Sequence, residues 1–205
     1  VLDPTTTFTL PPRQISNGVV DTFIHVVEQY LAYREDNTLL QDNLAEAILD
    51  TLITDGPKAL DSPTNYDVRA SLMWASTWAL NGWLGCGITQ DWATHRIGHE
   101  ITAFFGLDHA QTLAIVLPGL LTGLKEQKAQ RIQLLGKRVF GIETSSNATL
   151  VDMSIQATEN FFLKMGIKTR LSDYNLGEEA IEKVCNRLKQ RDWKLRECQS
   201  TDYQT

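Results

Sequence analysis

The 205-residue sequence predicts an all-α fold, a helical bundle of about eight helices. Two patterns carry that prediction. Apolar residues recur at steps of three and four along most of the chain, while the period-two alternation of half-buried strands is scarce. Residues that start or stop helices, Pro and Asn before the apolar stripes and Gly after them, fall between those stripes.

The first helix follows Pro11-Pro12, because proline suits a first turn whose N–H groups have no partner within the helix. Its inward stripe is Ile15, Val19, Val20, Phe23, Ile24, Val27 and Leu31. The second runs from about Leu39 to Ile53, with Leu44, Ile48, Leu49 and Leu52 inward, and Gly56-Pro57 reads as its end. Asn65 is placed to cap a third through Val68, Leu72, Met73, Trp78 and Leu80. Glycines at 82, 85 and 87 are expected to break that helix or to let another helix pack closely. A fourth, about Gln90 to Phe105, stops at Gly106. A fifth begins near Ala110, carries Leu113, Ile115, Val116 and Leu117, and is expected to bend at Pro118. The remaining three span about Ala129 to Phe140, Asn147 to Met165 and Glu178 to Gln190. Residues 1–190 therefore read as a helical domain, or as two bundles sharing one core with the cut near residue 125. Residues 191–205 are polar and unpatterned and read as a frayed tail.

Composition narrows the function. With 42% hydrophobic and 21% charged residues, the chain is neither disordered nor low-complexity. A net charge of −6 offers no electrostatic footprint for nucleic acid. The most apolar run, residues 112–124, is too short to span a bilayer and contains Pro118. No secretory signal is visible. Cys86, Cys185 and Cys198 are odd in number and widely spaced, so they form no disulfide framework, and a reducing cytoplasm is the expected compartment. Cys86, beside glycines, reads as a small packed residue, and the mixed charges of 125–131 read as a solvated helix start or loop.

The four histidines carry the chemistry. Asp21 and His25 lie four apart, as do His95 and His99, so on helices each pair shares a face one turn apart. His109 follows just past the Gly106 break. Both pairs sit in apolar helices, where an unpartnered imidazole or carboxylate is costly. A divalent cation is the most economical partner, and one carboxylate with up to four imidazoles suits Zn²⁺, Fe²⁺, Ni²⁺ or Co²⁺ better than Ca²⁺ or Mg²⁺. A zincin needs Glu directly after the first His, where Arg96 stands; Glu100 follows the second His instead. A metal-dependent phosphohydrolase needs His-Asp, and this chain has Asp108-His109.

At these residues the sequence resembles a known family. LDPTTTFTLPPRQISNGVVDTFIHVVEQY (2–30) is similar to the L-D-P, T-L-P-P and D-x3-H-x2-E elements of iron-containing (group III) alcohol dehydrogenases. HRIGHEITAFFGLDHAQTLAIVLPGLL (95–121) is similar to their H-x3-H-x9-H signature and the apolar helix after it. NYDVRASLMWASTWALNG and NFFLKMGIKTRLSDY match more weakly. The likeness is greatest to the NADPH-dependent aldehyde reductase and butanol dehydrogenase branch and covers about residues 1–185. It implies the helical C-terminal domain shared with dehydroquinate synthase-like folds. Many relatives have Pro-His-Gly where this chain has Asp108-His109-Ala110, which reads as a branch marker.

The resemblance implies Asp21, His25, His95 and His109 as metal ligands. It implies His99 close to the metal and the nicotinamide as catalytic proton relay, and Thr9 near the cofactor. The implied cofactors are a divalent metal, Fe²⁺ or Zn²⁺, and NADP(H). The implied reaction interconverts a small alcohol and an aldehyde, with the metal as Lewis acid. Phe104, Phe105, Trp74 and Trp78 are candidates to line the substrate pocket, with core packing as the alternative. A homodimer stays open. The family's nucleotide-binding domain precedes the L-D-P element, and this chain supplies no G-x-G-x-x-G loop, so it reads as the metal-bearing half of a larger enzyme. Its start at Val1, without Met, is expected of a piece. The alternatives are a non-catalytic metal-binding fragment and a zinc glycerol dehydrogenase-like enzyme; the Asp21/His25 spacing counts against the latter and against dehydroquinate synthase chemistry.

Overall fold

The computed structural model describes residues 1–32 and 38–192. Among these, eight α-helices and two short 3-10 turns (Pro4–Thr7 and Leu171–Tyr174) account for the regular structure, and no strand occurs. The helices are α1 (Pro12–Tyr30), α2 (Leu39–Asp61), α3 (Tyr66–Leu80), α4 (Ala93–Phe105), α5 (His109–Gly123), α6 (Ala129–Arg138), α7 (Asn147–Lys164) and α8 (Glu178–Gln190). Most of the tail lies outside the described residues.

The centre of the molecule is α1. Its stripe is buried against α2, α3 and α5, and Phe23 packs among Phe140, Phe161 and Phe162. One apolar cluster runs from Ile15 to Ile167 and crosses residue 125 without a break. A smaller cluster joins α4 to α8 through Ala93, Ile101, Val184 and Leu188.

Several ends follow the local rules. Asn65 Oδ1 accepts from the Val68 N–H, and Gly106, at φ 67°, ends α4. α7 starts at Asn147 as expected, and Ser146 Oγ caps it by accepting the Thr149 N–H. Other expectations are corrected. α2 does not stop at Gly56-Pro57 but continues to Asp61. Gly56 lies where a Cβ would come within 2.7 Å of Val19 Cγ1, so α1 holds this turn of α2 close, and packing overrides the proline signal. α5 runs through Pro118 to Gly123, which the expected bend there allows. Cys86 is exposed rather than packed. The 125–131 segment is the expected exposed turn and helix start at Lys125, Glu126, Gln127 and Gln130, but Lys128 and Arg131 are held by partners. Arg131 pairs bidentately with Asp42 at 2.8 and 2.9 Å and stacks on Tyr30, and Lys128 reaches Asp91 at 3.0 Å.

No helix among the described residues is long and apolar enough to cross a membrane.

Candidate metal centre

Three helices converge on one point. Asp21 and His25 sit one turn apart on α1, His95 and His99 one turn apart on α4, and His109 opens α5. α4 and α5 can approach because Gly98 carries no side chain: a Cβ there would lie 2.8 Å from Leu113 Cδ2 and 3.0 Å from Thr112 Oγ1. That approach brings the His95 and His109 rings to 5.2 Å between centroids.

Asp21 Oδ1 is the hub. It lies 3.1 Å from His25 Nδ1, 3.7 Å from His95 Nε2 and 3.6 Å from His109 Nε2. Asp21, His25 and His95 each offer a donor atom within 4.8 Å of the others. His109 stands outside that mutual spacing but still faces the hub. Asp21 Oδ1 and His95 Nε2 are buried, point toward each other and have no hydrogen-bond partner. Two such orphans in a site of one carboxylate and several imidazoles fit a divalent cation in both geometry and donor chemistry.

The imidazoles are held from behind. His25 Nδ1 is 2.9 Å from the Asp21 backbone carbonyl, to which it is placed to donate. His95 Nδ1 pairs with Glu28 Oε2, and Glu28 Oε1 accepts the Thr94 N–H at 2.6 Å. Glu28 is 6% exposed and belongs to α1, one turn beyond His25. A carboxylate on Nδ1 places the ring proton there and leaves Nε2 free to ligate. Sequence reasoning assigned Glu28 no role, although its place on the Asp21/His25 face was a usable signal.

Charge follows this geometry. Burial raises the Asp21 carboxyl, but His25, His95 and the charge of His109 outweigh it and hold the group below the usual carboxylate range. Burial lowers His95, but the carboxylates of Asp21 and Glu28 outweigh it and raise the ring to about 9. His109 is lowered, by burial and by the neighbouring imidazoles, against the pull of Asp21.

His99 is exposed and stacks on His109, with centroids 5.0 Å apart and planes at 27°. Trp92 stands edge-on to His25 and His95 at 5.8 and 5.4 Å. A cavity of about 290 Å³ opens on Asp21 and His109 and is bordered by Gln14, Asn17, Gly18 and Asp108. A second, of about 400 Å³, shares Gln14 and Gly18 and continues along Leu10, Val19 and Leu72. None of Phe104, Phe105, Trp74 and Trp78 lines either cavity. The phenylalanines pack with the α4–α8 cluster beneath Lys183 and Arg187, whereas Trp74 and Trp83 are exposed and stand edge-on to the half-buried Trp78. Thr9 is exposed in the approach to α1.

The chain is similar to known proteins in both sequence and fold. Residues 15–197 match the Fe-containing alcohol dehydrogenase family, C-terminal part. The NADPH-dependent aldehyde reductase YqhD of Escherichia coli is 53% identical over 190 residues, covering 93% of this chain and 49% of the relative. NADP-dependent alcohol dehydrogenase 3 of Entamoeba histolytica is 37% identical, with 92% and 48% covered. The substrate- and cofactor-free structure of E. coli YqhD has a TM-score of 0.91 at 52% identity, over 94% of this chain and 50% of that one. NADH-dependent butanol dehydrogenase A from Thermotoga maritima has a TM-score of 0.89 at 28% identity, over 98% and 52%. The chain thus spans about half the length of each of these relatives. The chain belongs to the iron-containing alcohol dehydrogenase family and carries the all-α C-terminal portion characteristic of it.

Proposed function

We propose that this chain is the metal-holding part of an NADPH-dependent aldehyde reductase, with Asp21, His25, His95 and His109 as the ligands. The observation that carries the reading is the facing pair of buried, unpartnered atoms, Asp21 Oδ1 and His95 Nε2, 3.7 Å apart. When bound, Fe²⁺ or Zn²⁺ supplies Lewis-acid polarisation of a carbonyl oxygen. Glu28 keeps the His95 proton on Nδ1. Trp92 covers the His25 and His95 rings and keeps water from that side. The cavity bordered by Asn17 and Asp108 admits a small aldehyde beside Asp21 and His109. His99, exposed and stacked on His109, exchanges a proton between solvent and the nascent alcohol at its imidazole nitrogen.

NADPH is favoured over NADH by the 53% identity to a reductase named for NADPH, against 33–36% to butanol dehydrogenases named for NADH. Most of the cofactor would lie against protein beyond this chain, with Thr9 and His99 as its contacts here. A cytoplasmic location goes with free Cys86 and Cys185.

The test has two arms. Protein purified without added ions should carry one equivalent of iron or zinc per chain, lost in Asp21→Ala. The full-length protein should reduce butanal with NADPH. A chain that takes up no divalent metal overturns the ligand assignment. Brisk glycerol oxidation without aldehyde reduction replaces the reaction with that of a glycerol dehydrogenase.

A further inference from the structure

The three histidines facing Asp21 are not held alike. His25 and His95 each have Nδ1 fixed, by the Asp21 carbonyl and by Glu28. Among the described residues no hydrogen bond holds the other nitrogen of His109, whose side chain is 35% exposed, against 15% and 8% for the other two. Besides its stack on His99, what directs it is its backbone, at the first position of α5.

That backbone is pinned by the residue before it. Asp108 Oδ1 accepts from Arg13 Nη2 at 2.8 Å, and Oδ2 accepts from Asn17 Nδ2 at 2.8 Å and lies 2.7 Å from Arg13 Nε. The Asp108 N–H donates to Gln111 Oε1 at 3.0 Å, closing the start of α5 on itself. Arg13, Asn17, Asp21 and His25 follow one another at steps of four, so they form one row along α1. Asp108 grips the first two members of that row, and His109 faces the third. The bidentate Arg13 contact fixes orientation as well as distance. An anion at this helix start also offsets the positive end of the α5 dipole, which would otherwise oppose a cation beside His109.

We propose that Asp108, through Arg13 and Asn17, is the positioning residue that holds His109 toward Asp21. This inference rests on the metal reading above and adds to it that one ligand is aimed by a clamp between α1 and α5.

The test uses Co²⁺ as the metal, because its visible d–d bands are intense in four-coordinate sites and fade when a ligand is lost. Asp108→Asn keeps a good capping side chain but removes the anion that Arg13 grips. It is expected to weaken Co²⁺ binding by up to about fivefold, the range of an ion pair with an exposed partner, and to shift the bands toward those of His109→Ala. The exchange Asn17→Asp with Asp108→Asn returns a carboxylate–amide pair beside Arg13 and is expected to restore both affinity and bands. Arg13→Gln combined with Asn17→Ala reaches the clamp from α1 and is expected to reproduce the loss while leaving the start of α5 intact. Wild-type protein that binds Co²⁺ with Asp108→Asn unchanged in affinity and spectrum overturns the clamp alone. Wild-type protein that binds no Co²⁺ overturns the metal reading and the clamp with it.

Discussion

Glu28 offers a test that separates orientation from fold. Its carboxylate is 4% exposed and accepts on both sides: Oε2 from His95 Nδ1, Oε1 from the Thr94 N–H at 2.6 Å. Glu28→Gln preserves shape and volume, but one oxygen becomes an NH₂ group. If the amide oxygen keeps the Thr94 N–H, the NH₂ faces His95 Nδ1. The ring must then move its proton to Nε2, the atom that faces Asp21. If the amide turns over, its NH₂ meets the backbone N–H of Thr94 instead, donor against donor. Neither orientation satisfies both neighbours, and burial excludes water as a substitute. Replacing such a partner of a metal-bound imidazole weakens binding about 10–100-fold, or roughly 1.4–2.8 kcal/mol. The assay is Zn²⁺ competition against a chelator of known affinity, with circular dichroism to show that helix content is kept. Unchanged Zn²⁺ affinity in a folded Glu28→Gln protein would refute the argument that Glu28 sets the His95 tautomer.

Other outcomes follow from the same coordinates. Asp21→Ala, His25→Ala, His95→Ala and His109→Ala should each lose stoichiometric metal by elemental analysis; full metal content in His95→Ala would remove that ring from the ligand set. His99→Ala should retain the metal and slow aldehyde reduction by the full-length protein, most steeply where proton supply limits the rate. Gly98→Val should destabilise by at least about 1–3 kcal/mol through overpacking, read as a lower urea midpoint, because even a Cβ would lie 2.8 Å from Leu113 Cδ2. Burial, and then the bond to Glu46, push the Tyr30 phenol above its ordinary value. Its contribution is therefore complete below about pH 10 and lost as pH rises further. Tyr30→Phe should flatten that part of the alkaline stability profile, and an unchanged profile would assign the loss elsewhere.

Periodicity made the helices legible because a helix buries a face, and a buried face writes itself at steps of three and four. Asp21/His25 and His95/His99 were legible for the same reason. What joins them was not. Glu28 and His95 are 67 residues apart, and Asp108 lies 95 residues from Arg13. Polar contacts between helices leave no period in the chain. The misread segments share that cause. Pro57 reads as a stop because local rules do not include Val19 pressing on the turn beside it. Lys128 and Arg131 resembled solvated charge because Asp91 and Asp42 lie far from them in sequence. Nearness to His99 along α4 points Phe104 and Phe105 to the pocket, whereas their side chains turn toward α8.

The carboxylates of Asp21 and Glu28 also constrain the charge of whatever completes the site. Asp21 and Glu28 bring two negative charges to three rings that ligate only when neutral. A divalent ion makes that inner group neutral, which a low-dielectric surrounding favours over any net charge. Without the ion, a proton on His95 offsets part of the charge, consistent with its rise to about 9. Metal uptake must then displace that proton, so affinity should climb as pH rises toward that value. The donors set the valence of the ion far more strictly than its identity, because Fe²⁺, Co²⁺ and Zn²⁺ all meet the same charge and accept the same nitrogen and oxygen ligands. Glu28 thus has two separable roles, tautomer and charge. Glu28→Gln disturbs both, whereas Glu28→Asp retains the charge and withdraws the carboxylate by one methylene. A larger metal deficit in the amide than in the shortened acid would assign the greater share of the effect to charge.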